Sequence, residues 1–221
     1  MSKNLGTIRE LDPTNMSVID SIIDDLIEKN YSIQTSLFTE SIIQTLFEEG
    51  LNLWESGDFR TARIGRGDEE QKRTEIRSDK IHWLDPNALS TTQNEYWKFI
   101  DELKVQVNRT FFFGLHDFEA HYAVYPEGAF YKKHLDQFTK TPHRFVSCLL
   151  YLNKNWKPEE GGQLRIYKNG TDETDFIDIQ PEFGKFVCFL SGSLYHEVLP
   201  ANRERFSLTG WLRKEAIPFV G

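Results

Sequence analysis

The chain has 221 residues, of which 39% are hydrophobic and 27% charged, a composition that suits one ordinary globular domain with a substantial buried core. Acidic residues outnumber basic ones by 34 to 26, and the formal net charge is −8. Proteins that bind phosphate backbones normally carry a basic surface, so we expect no nucleic-acid partner. The N-terminus has no apolar signal segment and no apolar run is long enough to span a bilayer, so we expect a cytoplasmic protein without a membrane partner.

The first half of the chain has the periodicity of helices. Apolar residues recur at helical spacing in three segments: 17–29, 42–54 and 92–107. A short extended segment, 31–38, follows the first helix. Thr92 and Glu95 have the spacing of a capping box at the start of the third helix.

A segment rich in charge and glycine, 57–80, separates the second and third predicted helices. One interpretation is a solvated loop. The other is a mobile lid, 60–79, that closes over a substrate groove. The sequence leaves both open.

From Phe111 onward the pattern changes to short β-runs separated by turns. Seven strands are predicted: 118–125, 145–152, 163–168, 174–179, 185–190, 194–199 and 204–213. This spacing favours an antiparallel double sheet, so the predicted class is α+β, with a jelly-roll core and a helical buttress. We expect a single domain, 1–221, in which 1–110 forms the mainly helical buttress and mobile loop and 111–215 the catalytic core. Cys148 and Cys188 lie in apolar runs and should be buried, free thiols.

Three side chains form a candidate metal site. On an extended backbone His134 and Asp136 would project to the same face, and His196 lies in a later strand-like run. Two histidines and a carboxylate can bind non-haem iron(II) and leave three coordination positions open. Zinc could use the same ligands, and His-x-Asp also occurs in surface turns.

The run that begins at Arg205 adds a candidate anion site. Alternation places Arg205, Ser207, Thr209 and Trp211 on one face of a strand whose other face is apolar. A buried arginine is costly without an anion, and its planar guanidinium suits a dicarboxylate. An internal salt bridge is the alternative.

Several runs in the second half also match a known family. They are Tyr125-Pro126-Glu127-Gly128, Tyr131-Lys132-Lys133-His134-Leu135-Asp136, Tyr151-Leu152-Asn153, Gly161-Gly162-Gln163-Leu164-Arg165-Ile166-Tyr167 and His196-Glu197-Val198 with Arg205 and Trp211. Ile76-Arg77-Ser78-Asp79 extends the match upstream. With these motifs the chain resembles the prolyl 4-hydroxylase group of iron(II)/2-oxoglutarate oxygenases, including small bacterial members and the animal oxygen-sensing enzymes.

The resemblance implies a double-stranded β-helix and a role for each matching residue. His134, Asp136 and His196 would bind iron(II). Arg205 and Tyr151 would bind the C5 carboxylate of 2-oxoglutarate, and Thr209 and Leu149 would line the same pocket. Tyr125 would lie beside the end of 2-oxoglutarate nearest the iron. Trp211 would form the wall that faces the target proline. Asp79 and Arg144 would pair to anchor the loop.

The resemblance also implies a reaction. 2-Oxoglutarate and O2 would be consumed, succinate and CO2 released, and a prolyl residue of a protein hydroxylated, with ascorbate as a further candidate cofactor. Elongation factor Tu is a candidate protein substrate. Two alternatives stay open: the same chemistry on another side chain or a small molecule, and a jelly-roll module that binds metal or ligand without turnover.

Overall fold

The computed structural model describes four stretches of the chain: residues 13–62, 75–137, 143–170 and 172–214. Within them the three predicted helices are present: α1 Pro13–Lys29, α2 Glu40–Glu55 and α3 Thr91–Phe111. The two alternatives for the loop, solvated chain or lid, concern residues 63–74, which lie outside the described residues.

The cap of α3 differs from the prediction. Ser90 is the N-cap: its hydroxyl accepts a hydrogen bond from the backbone N–H of Gln93, whose side chain accepts one from the N–H of Ser90. The predicted pair, Thr92 and Glu95, is therefore wrong by two residues. Gln93 also donates to Glu49 of α2, so a contact with another helix favours this register of the cap.

Eleven strands are present in the described residues: β1 Tyr31–Gln34, β2 Arg60–Thr61, β3 Lys80–Trp83, β4 Asp117–Tyr125, β5 Tyr131–His134, β6 Arg144–Tyr151, β7 Leu164–Tyr167, β8 Phe176–Ile179, β9 Phe186–Leu190, β10 His196–Val198 and β11 Arg205–Arg213. They form a major sheet with the order β1-β9-β6-β11-β4-β3-β2 and a minor sheet with the order β5-β10-β7-β8. Every pairing between these strands is antiparallel. The predicted strands are present, whereas β2, β3 and β5 were not predicted.

Alternation along the strands divides the apolar side chains between two cores. In β11, Phe206 and Leu208 pack with the three helices, and burial of each contributes about 1.5–3 kcal/mol. The neighbouring strands also present Tyr125 and Leu149 to the space between the two sheets. The helices thus cover one face of the major sheet, and its other face, together with the minor sheet, encloses a cavity. None of the helices in the described part of the chain is long and apolar enough to cross a membrane.

Candidate active site

The structure brings the three predicted metal ligands together at one end of the cavity. One ligand atom from each of His134, Asp136 and His196 lies within 4.8 Å of the others. The pairing of β5 with β10 causes this, because His134 and His196 are directly opposite across the two strands. The sequence predicted that His134 and Asp136 lie on one extended segment, and this was only partly right. Strand β5 ends at His134, and Asp136 lies in the bend that follows.

The backbone determines which nitrogen of each histidine faces the group. His134 Nδ1 lies 2.7 Å from the carbonyl oxygen of Lys132, and His196 Nδ1 lies 3.2 Å from that of Leu194. A carbonyl can only accept, so each Nδ1 must carry a proton, and in the neutral imidazole the lone pair is then on Nε2. The two Nε2 atoms lie 3.4 and 3.6 Å from the carboxylate of Asp136. Two imidazole lone pairs and a carboxylate oxygen are a suitable donor set for divalent iron.

Asp136 is held by donors that the sequence did not reveal. Its Oδ2 accepts hydrogen bonds from the Ser147 hydroxyl at 2.6 Å and the Trp211 indole N–H at 2.9 Å. Ser147 in turn lies 2.9 Å from the hydroxyl of Ser191. Burial would raise the pKa of Asp136, but the charge of the His196 ring when it is protonated, together with hydrogen bonds to the rings of His134 and His196, outweighs it and holds that pKa well below its usual range. The group is therefore a carboxylate at neutral pH, oriented through one oxygen.

Arg205 lies in the same cavity and is almost fully buried. Its Nε donates to the carbonyl of Gly162 at 2.8 Å, but its Nη2 has no hydrogen-bond partner among the described residues. The guanidinium lies over the rings of Tyr151, at 4.8 Å, and Tyr125, at 5.0 Å. The hydroxyl of Tyr151 is likewise buried, with no hydrogen-bond partner in the part of the chain that the structure describes. Burial raises the pKa of Tyr151 despite the opposing charge of Arg205, so the phenol keeps its proton and can donate.

The two unpartnered donors fit a carboxylate ligand. No carboxylate among the described residues forms an ion pair with Arg205, so the alternative of an internal salt bridge does not hold there. A buried guanidinium without a counter-ion costs several kcal/mol, on the order of the penalty for one desolvated charge. A carboxylate bound between Arg205 and Tyr151 would offset that cost and accept from both donors.

The remaining predicted pocket residues lie on the same surface. Thr209 of β11 is directly opposite Leu149 of β6, and both line the cavity. Tyr125 of β4 is directly opposite Arg205 and lines it too. The row of inward side chains thus leads from Arg205 along β11 to Trp211, which contacts the metal end through Asp136. The predicted residues therefore share one cavity with the metal ligands.

Comparisons with known proteins agree with this geometry. The family model of the 2OG-Fe(II) oxygenase superfamily matches residues 120–213. A solved prolyl-4-hydroxylase from Pseudomonas putida is 38% identical, covers 90% of this chain and 100% of its own, and superposes with a TM-score of 0.79. A solved prolyl hydroxylase from Trichoplax adhaerens, in complex with a hypoxia-inducible-factor peptide, is 27% identical over 91% of each chain, with a TM-score of 0.80. The mouse prolyl hydroxylase EGLN3 is 26% identical over 94% of this chain and 87% of its own.

The chain belongs to the prolyl 4-hydroxylase family of 2OG-Fe(II) oxygenases. It is an iron(II)- and 2-oxoglutarate-dependent dioxygenase, which uses O2 as its oxidant. The predicted α+β class with a double-stranded β-helix core is confirmed.

The ion pairs at the rim of the oxygenase cavity differ from those implied by the resemblance. Asp79 is buried and accepts two hydrogen bonds from Arg77, at 2.8 and 2.6 Å. Arg144 instead donates from Nε to Glu119 of β4 at 2.9 Å. The predicted pairing of Asp79 with Arg144 is therefore wrong. Each charge is satisfied by a nearer partner, Arg77 two residues along the chain and Glu119 on the same sheet.

One further polar residue of the oxygenase cavity was missed. His121 of β4 is 2% exposed and lines the cavity two alternations from Tyr125, and its Nδ1 has no hydrogen-bond partner within residues 13–62, 75–137, 143–170 and 172–214. Its ring lies 4.7 Å from that of Trp83 and 5.3 Å from that of Trp211. Burial lowers its pKa well below the usual value, so the imidazole is neutral. Alternation along β4 could have predicted its position, because His121 lies on the same face of the strand as Tyr125.

Proposed function

We propose that this oxygenase hydroxylates a prolyl residue of a protein substrate and converts 2-oxoglutarate to succinate and CO2. The main support for this proposal is the position of Trp211. Its indole N–H donates to the metal ligand Asp136, and its ring contacts Trp83 and His121. A wall of aromatic rings beside the metal ligands suits an uncharged, largely apolar ring such as proline. The solved relatives from Pseudomonas putida and Trichoplax adhaerens are both prolyl hydroxylases, and the latter holds a peptide.

In this proposal His134, His196 and Asp136 would hold iron(II), the histidines with Nδ1 engaged by backbone carbonyls and Asp136 with Oδ2 engaged by Ser147 and Trp211. Iron(II) together with 2-oxoglutarate supplies the oxidising power for an unactivated C–H bond. The protein's own contribution is orientation. The backbone carbonyls hold both imidazoles in one tautomer, and the two donors to Asp136 hold the carboxylate in one rotation.

Arg205 and Tyr151 would bind the C5 carboxylate of 2-oxoglutarate, since both offer buried, unpartnered donors. Thr209 and Leu149 would form the walls of that pocket. Tyr125 would lie beside the end of the co-substrate nearest the metal. Because Arg205, Tyr151, Leu149 and Tyr125 are almost entirely removed from solvent, bound 2-oxoglutarate would exclude water from the reacting groups.

Trp211 would form the wall against which the target proline rests. Its ring is fixed at one edge by the bond to Asp136, so a proline that contacts the ring would lie at a defined position relative to the metal ligands. A basic side chain in the same place would be desolvated and would meet the like charge of Arg144, whose guanidinium lies over the Trp211 ring. The site therefore favours proline over a basic side chain.

The test is a turnover assay with the full chain, iron(II), 2-oxoglutarate and O2. Elongation factor Tu is the first protein substrate to try, alongside a variant of it that lacks the candidate proline. Mass spectrometry should find one added oxygen atom on proline, matched by an equal amount of succinate, and the variant should gain none. Oxygen on another side chain, or turnover only with a small molecule, would replace the proposal, and no consumption of 2-oxoglutarate at all would indicate a binding module.

The same assay addresses two lesser proposals. We propose that ascorbate acts only as an auxiliary reductant, so its omission should reduce the number of turnovers without removing the first one. We also propose that the protein works in the cytoplasm. Fractionation of cells that produce it would test this.

A further inference from the structure

Four charged side chains form a chain of contacts on the cavity face of the major sheet, near the metal. Glu119 of β4 accepts from Arg144 Nε at 2.9 Å through Oε1 and from Arg213 Nη1 at 2.6 Å through Oε2. Arg213 also donates to Asp117. Both oxygens of Glu119 are thus occupied by different arginines, one of which lines the active-site cavity.

Arg144 reaches this position because of an irregularity in β6. Where β11 pairs with β6, Arg213 is opposite Arg144, whereas the residue before it in β11, Leu212, is opposite Val146. Phe145 is therefore an extra residue, and a bulge of this kind re-aims the side chains on one side of it. The bulge turns Arg144 to the same face as Ser147, from which regular alternation would have excluded it.

The guanidinium of Arg144 lies over the ring of Trp211, with its Cζ 3.5 Å from the ring centroid. Glu119, Trp211 and Ser147 are themselves a row of direct partners across β4, β11 and β6. Trp211 and Ser147 both donate to Oδ2 of Asp136. The carboxylate of Glu119 is thus connected to the metal ligand through two side chains, Arg144 and Trp211.

We propose that Glu119 is a positioning residue: it holds Arg144 against Trp211, so that the indole keeps its N–H on Asp136 and its ring in place for the substrate. The part that concerns the substrate rests on the proposed prolyl hydroxylation. The part that concerns the indole does not. A carboxylate is needed because it offers an acceptor to each arginine, whereas a glutamine has one acceptor oxygen and would direct its NH2 at the other guanidinium.

The first test reads the indole directly and needs neither substrate nor metal. In the NMR spectrum of the full 15N-labelled chain, the Trp211 indole signal is assigned by its loss in Trp211→Phe. Glu119→Gln should shift this signal upfield, because the hydrogen bond from the Trp211 indole N–H to the carboxylate of Asp136 weakens. Asp117→Asn is the matched control: it removes the same charge from the same arginine, Arg213, without touching Arg144, and should leave the signal in place.

The second test uses turnover. Glu119→Gln should lower kcat/KM for the protein substrate about ten-fold, the usual scale for one lost hydrogen bond to a charged group. In a Trp211→Phe background, Glu119→Gln should have little further effect on kcat/KM, because the indole N–H bond to Asp136, through which Glu119 acts, is already absent.

An unmoved indole signal in Glu119→Gln, or full additivity with Trp211→Phe, would overturn the proposal. If no protein substrate is hydroxylated, the proposed function fails while the indole test still decides the role of Glu119. Should Glu119→Gln not fold, Arg144→Lys tests the same contact, because an ammonium cannot lie flat on the ring. Its indole signal should shift in the same direction, and an unshifted signal would count against the proposal equally.

Discussion

The phenol ring of Tyr131 lies flat against the imidazole of His134, with the ring centroids 3.5 Å apart and an angle of 15° between the planes. Arg77 covers the phenol, its Cζ lying 4.3 Å from the ring centroid. The His134 ring is thus held by its Nδ1 bond to the backbone and by one whole face.

This stacking predicts a loss of metal affinity on Tyr131→Ala. The imidazole would keep its hydrogen bond but gain rotational freedom, and loss of such a supporting contact typically weakens metal binding about ten-fold or more. Calorimetric titration with manganese(II), which resists oxidation, would measure it. Tyr131→Phe keeps the ring and should bind as the unmodified protein does. Equal affinity in the alanine variant would mean that the backbone bond alone orients His134.

Replacing any one of His134, Asp136 and His196 with alanine should abolish turnover, because the two remaining ligands hold divalent iron poorly. Both bound iron and consumption of 2-oxoglutarate should be measured. His116→Ala is a suitable control, since His116 is exposed and lies outside this group. Full activity in any of the three variants would remove that residue from the ligand set.

Arg205→Lys should raise the KM for 2-oxoglutarate by at least about ten-fold, because a lysine ammonium cannot present the planar, bidentate donors of a guanidinium. Tyr151→Phe should raise it less, since it removes a single neutral donor. Arg165→Lys, at an arginine that pairs with Asp178 away from the cavity, should have no such effect. An unchanged KM in the Arg205 variant would place the co-substrate elsewhere.

Neither cysteine should react or form a disulfide in the folded protein. Cys148 and Cys188 are direct partners across β6 and β9, and both are fully buried, free thiols. Burial raises the pKa of each thiol, so the reactive thiolate is suppressed as the pH rises through the range in which an exposed cysteine ionises.

Thiol labelling between pH 7 and about 9, a range that spans the ordinary cysteine pKa, should therefore be slow at every pH and rapid once denaturant is added. Because the unfolded chain can lose these protons and the folded chain cannot, the free energy of unfolding should fall as the pH rises above the ordinary cysteine pKa. A mass that is two protons lower without added oxidant would reveal a disulfide and contradict the prediction.

The sequence by itself determined the features that depend on neighbours along the chain. Helical spacing located α1, α2 and α3, and alternation placed Arg205, Thr209 and Trp211 on one face of β11. The residue types of the candidate metal group were likewise sufficient to name it before any geometry was available. These properties are local or compositional, so no knowledge of which strands become neighbours was needed.

The tertiary structure alone decided which side chains satisfy one another. Glu119 binds Arg144 because β4 and β6 flank β11 and because a bulge at Phe145 turns the arginine to the cavity face. Asp136 accepts hydrogen bonds from both Ser147 and Trp211, because these two residues are opposite each other on the adjacent strands β6 and β11. Partners of this kind are brought together by strand order and register, which join residues far apart in the sequence. A spacing rule along one segment cannot specify them.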